Sequence, residues 1–307
     1  NFDVTEIEII KEGNKFIGKN RGIITTDNNV KIEANEFIYD KSLNTLKLIG
    51  NIIIDDIDQD FKIFSEDAIY YKGQEIFVSN KASKFIKSDE NIRIKADKFI
   101  YEKLTNTLRL EDNVLIEDLD KKAKIFSGSV IYYKDKDLFV SENNSKFVND
   151  NLTIISNSME YNKILNSINA NGDVEIDDKI ENYKIFAEDI NYLINIENII
   201  SKGKTEAIFG KKYNFKSSNV QLLRNENILS SKEKTRIIDK KSKLYEIDEF
   251  EYNIKTEFLK AVNLFIISDN SIPLGQSDNL KFDDGFFDLK NNTFVAGQTE
   301  INLKKDS

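Results

Sequence analysis

The chain repeats itself. KIEANEFIYDKSLNTLKLIGNIIIDD, from Lys31 to Asp56, lies over RIKADKFIYEKLTNTLRLEDNVLIED, from Arg93 to Asp118, at an offset of 62 residues, with Ala34 on Ala96, Tyr39 on Tyr101, Asn44 on Asn106 and Leu46 on Leu108. The offset continues without a gap: KIFSEDAIYYKGQEIFVS at Lys62 falls on KIFSGSVIYYKDKDLFVS at Lys124, and SKF at Ser83 falls on SKF at Ser145. A third, weaker copy follows about 60 residues on, with Tyr161 answering Tyr101 and Asp173-Val174 answering Asn113-Val114. Each copy halves again, since Tyr39, Tyr70, Tyr101, Tyr132, Tyr161 and Tyr192 recur every 29 to 31 residues. A period of this length means one supersecondary unit stacked on itself.

Length alone would suggest two domains in 307 residues. The repeat overrides that reading: with one proline, Pro273, and 12 glycines there is no flexible linker, so residues 1–307 are expected to form one continuous repeat domain, clearest over 31–205. Apolar residues make up 40% and charged residues 32%, which suits a thin core under a large wetted surface. Abundant Ile, Tyr, Phe and Val with period-2 alternation point to strands, and helical spacing is absent. Each copy holds about four extended segments, illustrated by 93–101, 107–118, 124–133 and 137–148.

The third copy is more polar, and its substitutions separate the two faces of each strand. Glu160 stands where the other copies have Ile38 and Ile100, Glu175 where they have Ile53 and Leu115, and Asn191 where they have Ile69 and Ile131. These positions point to water, so their neighbours point inward. The inward set therefore includes Phe37, Phe99 and Met159; Tyr39, Tyr101 and Tyr161; Ile52, Val114 and Val174; Ile54, Ile116 and Ile176; Ala68, Val130 and Ile190; and Tyr70, Tyr132 and Tyr192. By the same alternation Ile32, Ile63, Ile94, Leu108, Leu110, Ile125 and Ile185 join it. Buried parity changes within a strand, from even at Ile32 and Ala34 to odd at Phe37 and Tyr39, and again between Ile63 and Ala68. A strand that switches parity needs a bulge or bend, and strands kinked midway can pass from one sheet to an opposing one.

Much chemistry is excluded. There is no cysteine, histidine or tryptophan, so disulfides, thiolate metal sites and the usual Ser and Cys nucleophilic mechanisms are unavailable. The run Asp55-Asp56-Ile57-Asp58-Gln59-Asp60 superficially resembles a calcium loop, but Phe61 stands where the sharp turn needs glycine, so a solvated turn is the better reading. No phosphate loop is present, and no metal or cofactor is expected. A net charge of -9 with lysine and aspartate interleaved argues against nucleic acid. No window approaches the length of apolar sequence that spans a membrane as a helix. NFDVTEIEII lacks the layout of a signal peptide and the chain stops on KKDS, so it reads as a trimmed piece of a longer protein.

The motif I-x-A-D/N-x-F-x-Y, then N-T-L-x-L-x-x-N-V/I-x-I, then I-x-S and I-x-Y, resembles the OstA-like repeat of lipopolysaccharide-transport proteins. Ile94, Ala96, Asp97, Tyr101, Leu108, Leu110, Asn113, Val114, Ile125 and Tyr132 carry it, as do their counterparts 62 residues earlier. The resemblance implies an all-β fold: an elongated twisted jelly roll of stacked kinked antiparallel strands, open along one side, with an apolar lumen. It implies a conduit, not an enzyme, whose lumen shelters the acyl chains of lipid A, the lipid part of lipopolysaccharide, across the periplasm. The inward residues would then be its lipid-binding lining. It also implies that jelly rolls of this family join by edge-strand pairing, for which the first segment, with Val4, Ile7 and Ile9, is the candidate edge. Chain length favours the N-terminal periplasmic part of an outer-membrane lipopolysaccharide-assembly protein, attached to the outer membrane through a C-terminal barrel beyond this chain. A structural β-repeat surface protein or adhesin without lipid cargo is the competing reading, though its rungs are usually shorter and richer in glycine.

Overall fold

The computed structural model describes residues 2–26, 28–87, 91–210, 212–273 and 277–303. The chain divides into two compact units, Asn1–Asp150 and Asn151–Ser307. The first holds β1 (Phe2–Ile10), β2 (Lys15–Thr25), β3 (Val30–Ala34), β4 (Glu36–Asp40), β5 (Thr45–Asp56), β6 (Phe61–Tyr71), β7 (Ile76–Ser79), β8 (Ser83–Lys87), β9 (Ile92–Ala96), β10 (Lys98–Glu102), β11 (Thr107–Asp118), β12 (Ala123–Tyr133) and β13 (Leu138–Asn149). The second holds β14 (Leu152–Asn162), β15 (Ser167–Asp178), β16 (Tyr183–Leu193), β17 (Asn198–Phe209), β18 (Tyr213–Ser218), β19 (Gln221–Leu223), β20 (Ile228–Ser231), β21 (Thr235–Asp239), β22 (Leu244–Ile247), β23 (Glu249–Asn253), β24 (Phe258–Ile267), β25 (Asn279–Asp288), β26 (Thr293–Ala296) and β27 (Thr299–Asn302). Short 3-10 turns join some of them, and the described residues contain no α-helix.

Every long strand is kinked, and its two halves pair in different ladders. In the first unit 52–56 of β5 pairs with β3 and with 61–65 of β6, whereas 45–49 of β5 pairs with β4 and with 67–71 of β6. β11 does the same, its 115–118 half against β9 and its 107–111 half against β10. The halves thus build two layers that face each other in each unit, both antiparallel throughout. The register slips at kinks of the repeat strands, between Ile49 and Ile52, Glu111 and Val114, Phe126 and Ser129, and Asn171 and Val174. These slips are the bends that the parity change demands, because one extra residue flips the alternation so that both halves bury the same concave side. β3 and β4 are parted at Asn35, and β9 and β10 at Asp97.

The corners have a recurrent chemistry. Left-handed backbone occurs in consecutive pairs at Asn20 and Arg21, Gly50 and Asn51, Asp112 and Asn113, Asn143 and Asn144, and Gly172 and Asp173. Gly, Asn and Asp tolerate this region best, which is why they cluster there. The backbone N–H of Asn35 donates to the Gly50 carbonyl at 3.0 Å and that of Asp97 to the Asp112 carbonyl at 3.0 Å, tying one corner to the next. Outside, the Asn113 amide donates to Asp97 at 2.6 Å and that of Asn157 to Asp173 at 3.2 Å. Inside, small hydroxyls fill the crease: Ser83 Oγ donates to Ser65 Oγ at 3.0 Å, Ser141 Oγ to Ser145 Oγ at 2.7 Å, and Ser217 and Thr235 share a hydrogen bond of 2.7 Å.

Candidate functional site: the interior and its seam

The side chains that the repeat turns inward meet between the layers. Ile32, Phe37, Ile52, Ile54, Ile63, Tyr70, Ile94, Phe99, Tyr101, Leu108, Leu110, Val114, Ile116, Ile125, Val130 and Tyr132 are buried in the first unit, as are Met159, Tyr161, Val174, Ile176, Ile185, Ile190 and Tyr192 in the second. The outward counterparts Ile38, Ile100, Ile53, Leu115, Ile69 and Ile131 are half-exposed. Cross-layer contacts close the first interior: the Phe85 and Phe99 rings meet edge to face at 5.2 Å, and Phe61 packs on Tyr101 at 5.8 Å. In the second unit Phe209 and Phe215 of one layer meet Phe250 and Tyr252 of the other, with centroids 5.0 to 5.5 Å apart. The copies did not assign Phe61, Phe85, Phe209, Phe215, Phe250 or Tyr252 to a face, because the comparison of outward positions did not reach their strand segments.

Tyr39 differs from its counterparts. It is half-buried, because only β1 and β2 lie beyond it, and its ring sits 6.3 Å from Phe16. With Ile7, Phe16, Ile24, Leu46 and Tyr70 it lines a cavity of about 510 Å³ at the N-terminal end of the first unit, rimmed by Lys72 and Glu75. β1 pairs with β2 alone among the described strands, and on it Ile7 and Ile9 are 56% and 59% exposed while Val4 is half-buried. The second unit ends on β26 and β27, where Val295 and Ile301 are exposed.

Opposite the corners, each unit has a seam where the turns of one layer face those of the other. Sequence reasoning missed what lies there. Asp56, expected in a solvated turn, is fully buried: its carboxylate accepts a hydrogen bond from the Tyr101 hydroxyl and pairs with Lys103 Nζ at 2.8 Å and Lys134 Nζ at 3.8 Å. The correction has a simple cause. Asp56 is the last residue of β5 and inward by parity, so the turn begins beyond it at Ile57. Lys134 Nζ also donates to Tyr101 Oη at 2.9 Å and lies 4.4 Å from the Phe61 ring centroid. Burial pushes the Lys134 ammonium down to about 8, with Asp56 opposing and Lys103 and Lys87 adding to the effect. Burial, then the Asp56 charge, pushes the Tyr101 hydroxyl well up, so it stays protonated. Lys87 spans the same seam to Asp137 at 3.1 Å.

The second unit repeats the arrangement with arginine. Arg224 pairs with buried Asp178 at 2.8 Å and with Glu197, and donates to Tyr183 at 3.1 Å and Tyr192 at 3.3 Å. Nearby, Lys212 and Tyr213 of one layer meet Glu257 of the other. Asp56, Asp118 and Asp178 occupy the same place in the three copies and all are buried. That recurrence was the available signal. Among the described residues no group of three His, Cys, Asp or Glu is placed to hold a metal ion, and no helix is long and apolar enough to cross a membrane.

One family model matches the repeat region. Residues 62–176 match the family described as lipopolysaccharide-assembly, LptC-related. No curated protein matches the chain. Among solved structures, the chain is similar to LptH, the LptA homologous periplasmic component of the conserved lipopolysaccharide transport device from Pseudomonas aeruginosa, at 12% identity over 37% of this chain and 83% of that one, with a TM-score of 0.35. The matched span runs from the second half of the first copy through the second copy and into the third. Over residues 62–176, then, the chain is similar to the lipopolysaccharide-assembly, LptC-related family.

Proposed function

We propose that the chain is a periplasmic lipopolysaccharide carrier whose two-layered interior shelters the acyl chains of lipid A. The observation that supports this reading most is the inward face itself. Rung after rung supplies large apolar side chains, the lining that a sliding alkyl chain requires. Each methylene taken from water contributes roughly 0.8 kcal/mol, so a uniform lining allows transfer along the chain with little net change per step. The seam charges lie at the boundary between that interior and water, where an amphiphile changes character from alkyl to anionic head. Docking with another jelly roll of the family would use the free edge of β1, where Ile7 and Ile9 are exposed and Ile7 lines the apolar cavity behind it. Whether the parent protein carries a C-terminal outer-membrane barrel belongs to the same proposal and rests on the sequence resemblance.

Mass spectrometry of lipids extracted from the purified protein tests the carrier reading. Lipid A, or a detergent standing in for it, should accompany the protein in stoichiometric amount. A protein that stays lipid-free when mixed with lipopolysaccharide would favour the structural β-repeat reading instead.

A further inference from the structure

We propose that the seam opposite the corners is the entrance by which an acyl chain reaches each interior, and that the side-chain bridges across it form a latch that must open first. This deepens, and rests on, the carrier reading above.

The two edges of each unit are held in different ways. At the corners the layers are covalently continuous through the kinked strands, and backbone hydrogen bonds join corner to corner. At the seam, backbone bonds run only along a layer: Lys103 N to Glu75 O, Lys134 N to Asn106 O, Gly210 N to Asn182 O and Arg224 N to Glu197 O join each turn to the next of its own layer. Among the described residues, none crosses from layer to layer there. The crossing contacts described above are side chains, led by Asp56 with Lys103 and Lys134 in the first unit and Asp178 with Arg224 in the second. Opening the seam therefore breaks no sheet hydrogen bond, whereas opening any other line does.

The latch stands directly before the interior. Lys134 Nζ lies over the Phe61 and Tyr101 rings at 4.4 and 4.6 Å, so swinging it outward uncovers aromatic surface. Inward residues are packed on one another, so a chain can enter only as the layers part. Lysine and arginine suit such a latch, because their long stems can carry the charge into water once the carboxylate is released. The turns flanking the seam bear exposed apolar tips, Leu43 and Leu104 in equivalent turns on one lip and, at the repeat spacing, Ile57 and Leu119 on the other in the first unit. An alkyl chain arriving at the seam meets these before it meets the interior.

Stopped-flow uptake of a pyrene-labelled sixteen-carbon fatty acid by the full chain tests the latch. One variant combines Asp56→Asn, Lys134→Met, Asp178→Asn and Arg224→Met; a gentler one combines Tyr101→Phe with Tyr192→Phe and keeps every charge. The first should take up probe at least about tenfold faster than the unaltered protein, and the second faster by a smaller factor, with the amount bound at saturation unchanged. Equal rates in all forms that bind the probe would overturn the latch and leave the carrier reading standing. No uptake by any form would remove both. If circular dichroism shows the charge variant unfolded, the tyrosine variant decides alone: native spectrum with unchanged uptake rate contradicts the latch.

Discussion

An unfolded lysine titrates near 10.4, whereas buried Lys134 does so at about 8, so between those values the unfolded chain binds more protons than the folded one. Stability contributed at this site therefore rises with pH through that window. Because one pKa unit is worth about 1.4 kcal/mol, the gain from pH 8 to pH 10 is on the order of 2 kcal/mol. Urea unfolding across this range should show the unaltered protein gaining on Lys134→Met; parallel profiles would contradict the burial argument. In the interior, Phe99→Ala should cost about 3 to 5 kcal/mol and half-exposed Ile100→Ala far less, again by urea unfolding. The face of these two residues was legible because a charge replaced the isoleucine in the third copy. The buried lysine was not. Lys72 and Ile194 occupy its position in the other copies, the first exposed and the second buried, so one motif position is a rim in one place and a core site in another.

Strands and their kinks were foreshadowed by parity, since a period-2 pattern cannot change phase without an extra residue. The chemistry of the corner was less evident, because a left-handed pair such as Asp112-Asn113 looks like any polar stretch until both ladders are seen to slip there. Gly50 and Gly172 have φ of +74° and +75°, and an added Cβ would stand 2.8 Å from the amides of Asn35 and Asn157. Gly50→Ala and Gly172→Ala should each destabilise by about 1 to 2 kcal/mol. Gly128 has no such φ and its nearest neighbour would be 3.6 Å away, so Gly128→Ala should change stability by less than about 0.5 kcal/mol. Urea midpoints of the three variants check the contrast. Equal effects would mean that the corner conformation carries no special cost. The corner serines were visible in the I-x-S motif, yet nothing in one strand says that Ser65 and Ser83 touch across a crease.

At the scale of the molecule, the repeat conveys an inward face and free ends, but not what closes a unit along its seam, since residues 41 to 47 apart in sequence, such as Tyr183 with Arg224 and Asp56 with Lys103, make those contacts. The β1 edge is exposed, so Ile7→Lys with Ile9→Lys should leave the melting temperature unchanged. The same pair should weaken association with a partner jelly roll by roughly tenfold or more, because charge on a free edge opposes strand addition. Size-exclusion and titration calorimetry with a purified family member would read both. The central claim is that lipid occupies the inward face. Its most direct measurement is photo-crosslinking to lipopolysaccharide from a benzophenone amino acid placed in turn at Phe99, Tyr132 and Tyr192 and at the outward Ile100, Ile131 and Asn191. The account predicts lipid adducts from the inward three and none above background from the outward three; adducts from the outward set alone would contradict it.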